Sequence, residues 1–87
     1  MKEMLLAFDF DIVEATLIEN EFLNMGVYNI SAYVILFNKY RLNKFFIKEI
    51  ILKRKDLFLM DKDRLEYVFD AIISNGDIIE ETLLDII

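Results

Sequence analysis

The sequence predicts an all-α fold, and three observations carry that reading. Apolar residues recur at steps of three and four through most of the chain, the spacing of a helix with one buried side. Proline is absent, and the two glycines in 87 residues, Gly26 and Gly76, each stand just behind a helical stripe. No alternating series of strands and helices runs through the sequence. A composition that is 56% hydrophobic, rich in Ile, Leu, Val and Phe, excludes disorder. The expectation is one domain over residues 1–87: a compact bundle of four to five short helices ending in a helical hairpin. The alternative is an α+β fold with a short N-terminal strand.

The first element spans residues 5–25. Leu5, Phe8, Ile12, Ala15, Ile18, Phe22 and Met25 form a stripe of about six turns, and Leu6, Phe10, Val13 and Leu17 form a second one roughly opposite. A helix with two apolar sides needs cover from its own chain or from another copy. Leu6, Phe8, Phe10 and Ile12 also alternate, which is the basis of the strand alternative for 4–10. Gly26 ends the element in either case. A second helical stretch runs from Ser31, read as an N-cap, to Lys55, with an interruption near 38–43. Its second half places Phe46, Ile47, Ile50 and Ile51 on one side and Lys44, Lys48 and Lys55 on the other.

Leu57, Phe58, Leu59 and Met60 follow, four apolar residues, too apolar a run to be left in water as a plain connector. They are core or contact surface, and they enter the candidate site as contact residues. Residues 63–75 give the clearest helix: Leu65, Val68, Phe69, Ile72 and Ile73 share a side, Asp63 and Glu66 have capping-box spacing, and Asn75-Gly76 suits a left-handed C-cap. Asp77 and Glu80 repeat the box before a last helix with Ile79, Leu83 and Ile86 or Ile87 inside.

Charge is blocked rather than mixed. Residues 1–38 carry net −5, residues 39–55 net +6, and residues 56–87 net −7, so the overall −6 conceals an acid–base–acid pattern. The blocks either neutralise each other inside the fold or offer faces of opposite sign to separate partners. The chain holds no histidine and no cysteine. That removes imidazole acid–base catalysis, the usual triads, disulfides and thiolate zinc sites. No cofactor is expected. The longest uncharged stretch, 22–38, is broken by Asn24, Gly26, Asn29 and Ser31, whereas a spanning helix needs roughly 20 mostly apolar residues. Met4 to Phe8 is too short for a signal-peptide core, so the expected location is the cytoplasm.

One local motif points to chemistry. Leu5-Leu6-Ala7-Phe8-Asp9-Phe10-Asp11-Ile12-Val13 resembles the first motif of haloacid-dehalogenase-type phosphatases, and Gly76-Asp77 with Glu80 and Glu81 is similar to that family's last acidic motif. The resemblance implies Asp9 as nucleophile, Asp11 as acid/base and Asp77 as a magnesium ligand, on a parallel sheet flanked by helices. Ile12 stands where that family has a glycine, and 87 residues leave space for perhaps three strands.

The last two helices have the outline of a helix-turn-helix, but residues 77–87 contain Asp77, Glu80, Glu81 and Asp85 and no basic residue. Phosphates would repel such a helix. Arg41, Lys44, Lys48 and Lys55, with Tyr40 nearby for stacking, are the alternative nucleic-acid stripe. Tyr33 and Tyr40, seven residues apart, fit core packing better than a contact patch.

The leading expectation is therefore a small acidic protein–protein interaction module without chemistry of its own. Asp63, Glu66 and Asp70 on one helix, with Asp77, Glu81 and Asp85 on the next, would occupy a basic cleft meant for phosphates on a host protein. In size and composition the chain is similar to phage and mobile-element inhibitors of nucleases, polymerases and CRISPR effectors, an analogy that rests on no shared motif. Self-association as a homodimer is a further expectation, because 56% apolar residues are hard to bury in 87 positions. The alternatives are a nucleic-acid-associated regulator acting through residues 39–55, and the phosphatase-like enzyme using Asp9 and Asp11.

Overall fold

Helix stop signals set the architecture. In the computed structural model, which describes the backbone of residues 1–85 and the side chains of residues 1–83, the chain forms α1 (Lys2–Ala7), α2 (Ile12–Asn24), α3 (Ser31–Lys39), α4 (Lys44–Lys53), a 3₁₀ turn (Lys55–Leu59), α5 (Lys62–Ser74) and α6 (Ile79–Asp85). No strand occurs among the described residues, so the α+β alternative is not supported: the segment that alternates in sequence begins inside α1. The bundle is somewhat elongated, 39 × 23 × 23 Å.

Four of the helices end in the same way. After α2, Gly26 turns to φ +85°, its N–H donates to the Leu23 carbonyl, and the Val27 N–H donates to the Phe22 carbonyl. Those two bonds define a Schellman motif, which satisfies carbonyls that the helix end leaves open. Gly76 repeats it after α5, with bonds to Ile73 and Ile72. Asp9 (φ 68°) closes α1 through Leu6 and Leu5, and Arg41 (φ 57°) closes α3 through Asn38 and Phe37. In three of the four, the residue after the left-handed position is a buried apolar one: Phe10, Val27 and Leu42. Those three helix stops thus also deliver a side chain to the core.

The long first helix expected over 5–25 is two helices instead. Asp9 takes the left-handed turn, and the Asp11 carboxylate accepts the Glu14 N–H at 2.8 Å while Glu14 accepts the Asp11 N–H at 3.1 Å. A reciprocal capping box starts a helix and so cannot lie within one. The Glu19 carboxylate accepts the Lys2 N–H at 3.0 Å, tying the start of α1 onto α2. The break expected near 38–43 is present, with Asn43 capping α4 through the Phe46 N–H at 2.7 Å. Ser31 is the first residue of α3, and Asn29 accepts its N–H at 2.8 Å. Two caps in the C-terminal third also shift. Asp61, two residues before Asp63, caps α5, and α6 opens at Ile79 after Ile78 rather than directly after Asp77.

The core is centred on Phe58. Its ring meets Phe22 of α2 at 5.1 Å, Tyr33 of α3 at 5.3 Å and Phe37 of α3 at 5.9 Å, all edge to face. Phe69 of α5 extends the cluster to Phe37 and Tyr40. Tyr33 and Tyr40 are therefore core aromatics with polar tips: the Tyr33 hydroxyl donates to the Met60 carbonyl at 2.5 Å. Among the described residues no polar or charged residue is buried. Ile79 and Leu83 are inside, as their spacing predicts, while Ile86 and Ile87 lie outside the described residues. Ile73, expected on the inner stripe of α5, is exposed.

Candidate functional site

The basic segment is largely consumed by the fold. Among the described residues, five ion pairs each use a cation of this segment: Lys39 with Glu66 (3.3 Å), Lys44 with Asp9 (3.1 Å), Lys53 with Glu49 (2.7 Å), Arg54 with Asp56 (3.1 Å) and Lys55 with Glu21 (3.0 Å). Lys48 lies over the Phe10 ring at 4.8 Å and donates to the Asp9 carbonyl at 3.4 Å. Of the candidate stripe Arg41, Lys44, Lys48 and Lys55, Arg41 alone has no partner among the described residues. Its left-handed backbone takes it off the regular helical spacing that the stripe assumed. Tyr40, proposed for base stacking, packs against Phe69.

Arg54 also fastens the C-terminal helix. Its Nη1 donates to the Leu83 carbonyl at 2.8 Å, while Nε and Nη2 grip the two oxygens of Asp56 at 3.1 Å each. That bidentate hydrogen bond holds the Asp56 carboxyl below its usual range, against a smaller opposing effect of burial.

The acidic residues divide into two groups. Glu66 pairs with Lys39, and Asp70 accepts the Tyr40 hydroxyl at 2.5 Å, so both act between α3 and α5. Burial, and then the hydrogen bond and negative charge of Asp70, push the Tyr40 hydroxyl up to about 12. Asp63, Asp77 and Glu81 are exposed, and their carboxylates have no partner among the described residues. The side chain of Asp85 lies outside the described residues. Glu80 accepts from Asn43 at 3.4 Å.

The apolar candidate needs correction. Leu57 and Phe58 are buried in the core and Met60 packs half-buried against it, leaving Leu59 as the exposed member. The tight 3₁₀ turn points its first two apolar side chains inward, so these four residues are not one contact surface. The apolar surface lies elsewhere. Val13 and Leu17 on α2 and Phe45 and Leu52 on α4 are exposed. Val13 and Leu17 belong to the second stripe seen in the sequence; Phe45 had no such signal, because it stands beside the buried Phe46.

The two carboxylates of the phosphatase-like motif have structural partners. Asp9 faces Lys44 and Asp11 caps α2. No group of three acidic side chains able to hold a metal ion occurs among the described residues, and neither does the sheet that the resemblance implies. Among the described residues no helix is long and apolar enough to cross a membrane. Comparison with protein-family profiles, curated proteins and solved structures returns no match. What the fold defines is a small helical bundle whose basic segment is largely paired within the chain and whose C-terminal third carries carboxylates without partners among the described residues.

Proposed function

We propose that this chain is an acidic interaction module, an inhibitor or regulator that docks on a basic, phosphate-binding surface of a partner protein. One observation carries the reading. Every cation of residues 39–55 except Arg41 is paired or hydrogen-bonded within the chain, whereas Asp63, Asp77 and Glu81 have no partner among the described residues. Unpaired exposed carboxylates on a chain of net −6 attract a basic surface from a distance and suppress binding to nucleic acid. The alternative through the basic segment has less support, because binding phosphates there would require breaking internal pairs.

The test is a pull-down from host lysate with quantitative mass spectrometry, comparing wild type, the triple reversal Asp63→Lys/Asp77→Lys/Glu81→Lys, and the double reversal Lys44→Glu/Lys48→Glu. The expected partner is captured by wild type and by the double reversal and is lost with the triple reversal, at unchanged helical circular dichroism. Capture that survives the triple reversal overturns the reading, and so does capture lost only with the double reversal.

A further inference from the structure

The turn that joins α5 to α6 holds a residue pair with chemistry of its own. The chain has six asparagines, and Asn75 alone is followed by glycine. Asn20, Asn24 and Asn38 lie within helices, and the side chains of Asn29 and Asn43 accept the Ser31 and Phe46 N–H groups. Asn75 and Gly76 are both exposed, and the Asn75 carboxamide has no partner among the described residues. Gly76 has no side chain to shield its amide nitrogen, so a carbon of the preceding side chain can approach it closely. The reaction open to such a pair needs only water. A solvent hydroxide takes the Gly76 amide proton and the nitrogen attacks Cγ of Asn75. The Cγ–Nδ2 bond breaks, and the leaving nitrogen takes a proton from water to depart as ammonia. One water then opens the resulting succinimide. Attack at Cγ gives an aspartate at position 75. Attack at the main-chain carbonyl gives an isoaspartate, in which the chain runs through Cβ and Cγ. Nothing is oxidised or reduced.

The fold gates the first step. Asn75 is the C-cap of α5 with ψ −2°, a rotation that turns the Gly76 nitrogen away from the Asn75 side chain. The same nitrogen donates its proton to the Ile73 carbonyl at 2.9 Å, and the Asp77 N–H donates to the Ile72 carbonyl at 3.1 Å. Ring closure therefore waits for a local opening of this Schellman turn. We propose that Asn75-Gly76 is a self-modification site, and that its conversion to isoaspartate unseats α6. Isoaspartate lengthens the main chain by one carbon between α5 and the two closing N–H groups, so the pair of bonds no longer fits. Helix α6 is seven residues long and reaches the core through Ile79 and Leu83. A helix that short does not persist once it leaves the surface that supports it. Either product also adds a carboxylate beside Asp77 at the carbonyl end of α5, where negative charge is unfavourable. The proposal does not depend on what the acidic residues bind.

The experiment incubates the full chain in mildly alkaline buffer, both folded and in urea that unfolds it, and follows each asparagine by fragment mass spectrometry. In the folded chain Asn75 is expected to convert several-fold faster than any of the other five asparagines. In urea, where the turn is always open, its conversion is expected to be about tenfold faster or more. Asn75→Gln, which would have to close a larger ring, is expected to show no conversion at position 75. The isoaspartate fraction is then separated by chromatography and its hydrogen exchange measured. Amides of residues 79–83 are expected to lose their protection while those of α2 and α4 keep theirs. Conversion at position 75 no faster than at the other asparagines overturns the proposal. Equal rates in the fold and in urea remove the gate, and an isoaspartate chain whose α6 keeps native protection refutes the unseating; either result overturns it as well.

Discussion

Truncating Phe58 to alanine tests the assignment of the 3₁₀ turn to the core. The side chain is buried, and three rings stand edge to face against it at 5.1, 5.3 and 5.9 Å. Removing a buried phenylalanine costs about 3–5 kcal/mol through lost burial and the cavity left behind. Aromatic pairs add about 0.5–1.5 kcal/mol each beyond their area, which places this site towards the upper end, about 4–5 kcal/mol. A domain of this length holds roughly 4–13 kcal/mol in total, so Phe58→Ala removes a third of the stability or more. With a urea dependence of about 1–2 kcal/mol per molar, the unfolding midpoint followed by circular dichroism falls by ~2–5 M. Leu59→Ala next door, at 57% exposure, costs under about 0.5 kcal/mol. Should Phe58→Ala prove too unstable to fold, Phe58→Leu at about 1–2 kcal/mol preserves the comparison. A loss at Phe58 no greater than that at Leu59 refutes the reasoning and returns the whole segment to the surface.

Arg41→Gly is expected to stabilise the protein. Relief of the left-handed penalty, about 1–2 kcal/mol, outweighs the added chain entropy of glycine, about 0.5–1 kcal/mol, for a net gain of ~0.5–1 kcal/mol in urea unfolding; a loss of stability there means that Arg41 makes a contact that matters. A phenolate absorbance phase near pH 12 is expected from Tyr40, and Tyr40→Phe should delete that phase. The sign follows from the raised value. Below pH 10 Tyr40 is neutral in folded and unfolded chains alike; between about 10 and 12 only the unfolded chain loses the proton, so its contribution to stability falls as pH rises. A phase near pH 12 that persists in Tyr40→Phe refutes the assignment.

Particular residues explain how far the fold could be read in advance. Gly26 and Gly76 mark two helix ends openly, because glycine takes a positive φ without strain. Asp9 and Arg41 end two helices with the same backbone turn, and nothing in their residue type announces it. That is why 5–25 read as one helix with two apolar sides. The corner at 8–11 turns Phe10 into the core and leaves Val13 and Leu17 outside. The candidate site follows the same division. Six acidic positions share helical faces by spacing alone, but spacing cannot reveal that Lys39 and Tyr40 of α3 engage Glu66 and Asp70.

The sequence by itself determined the helical class, the breaks near Gly26, 38–43 and Gly76, the inner stripe of α4, that of α5 apart from Ile73, the inward Ile79 and Leu83 of α6, and the absence of histidine and cysteine from the chain. These are local properties, set by periodicity, capping residues and composition. Which charges stay unpaired, and which apolar residues stay wet, was decided only when helices distant in the chain came together. Lys44 meets Asp9 and Lys55 meets Glu21 across more than thirty positions, and Phe58 finds three rings from two other helices. Pairing and burial depend on distance in space, and a one-dimensional pattern does not contain it.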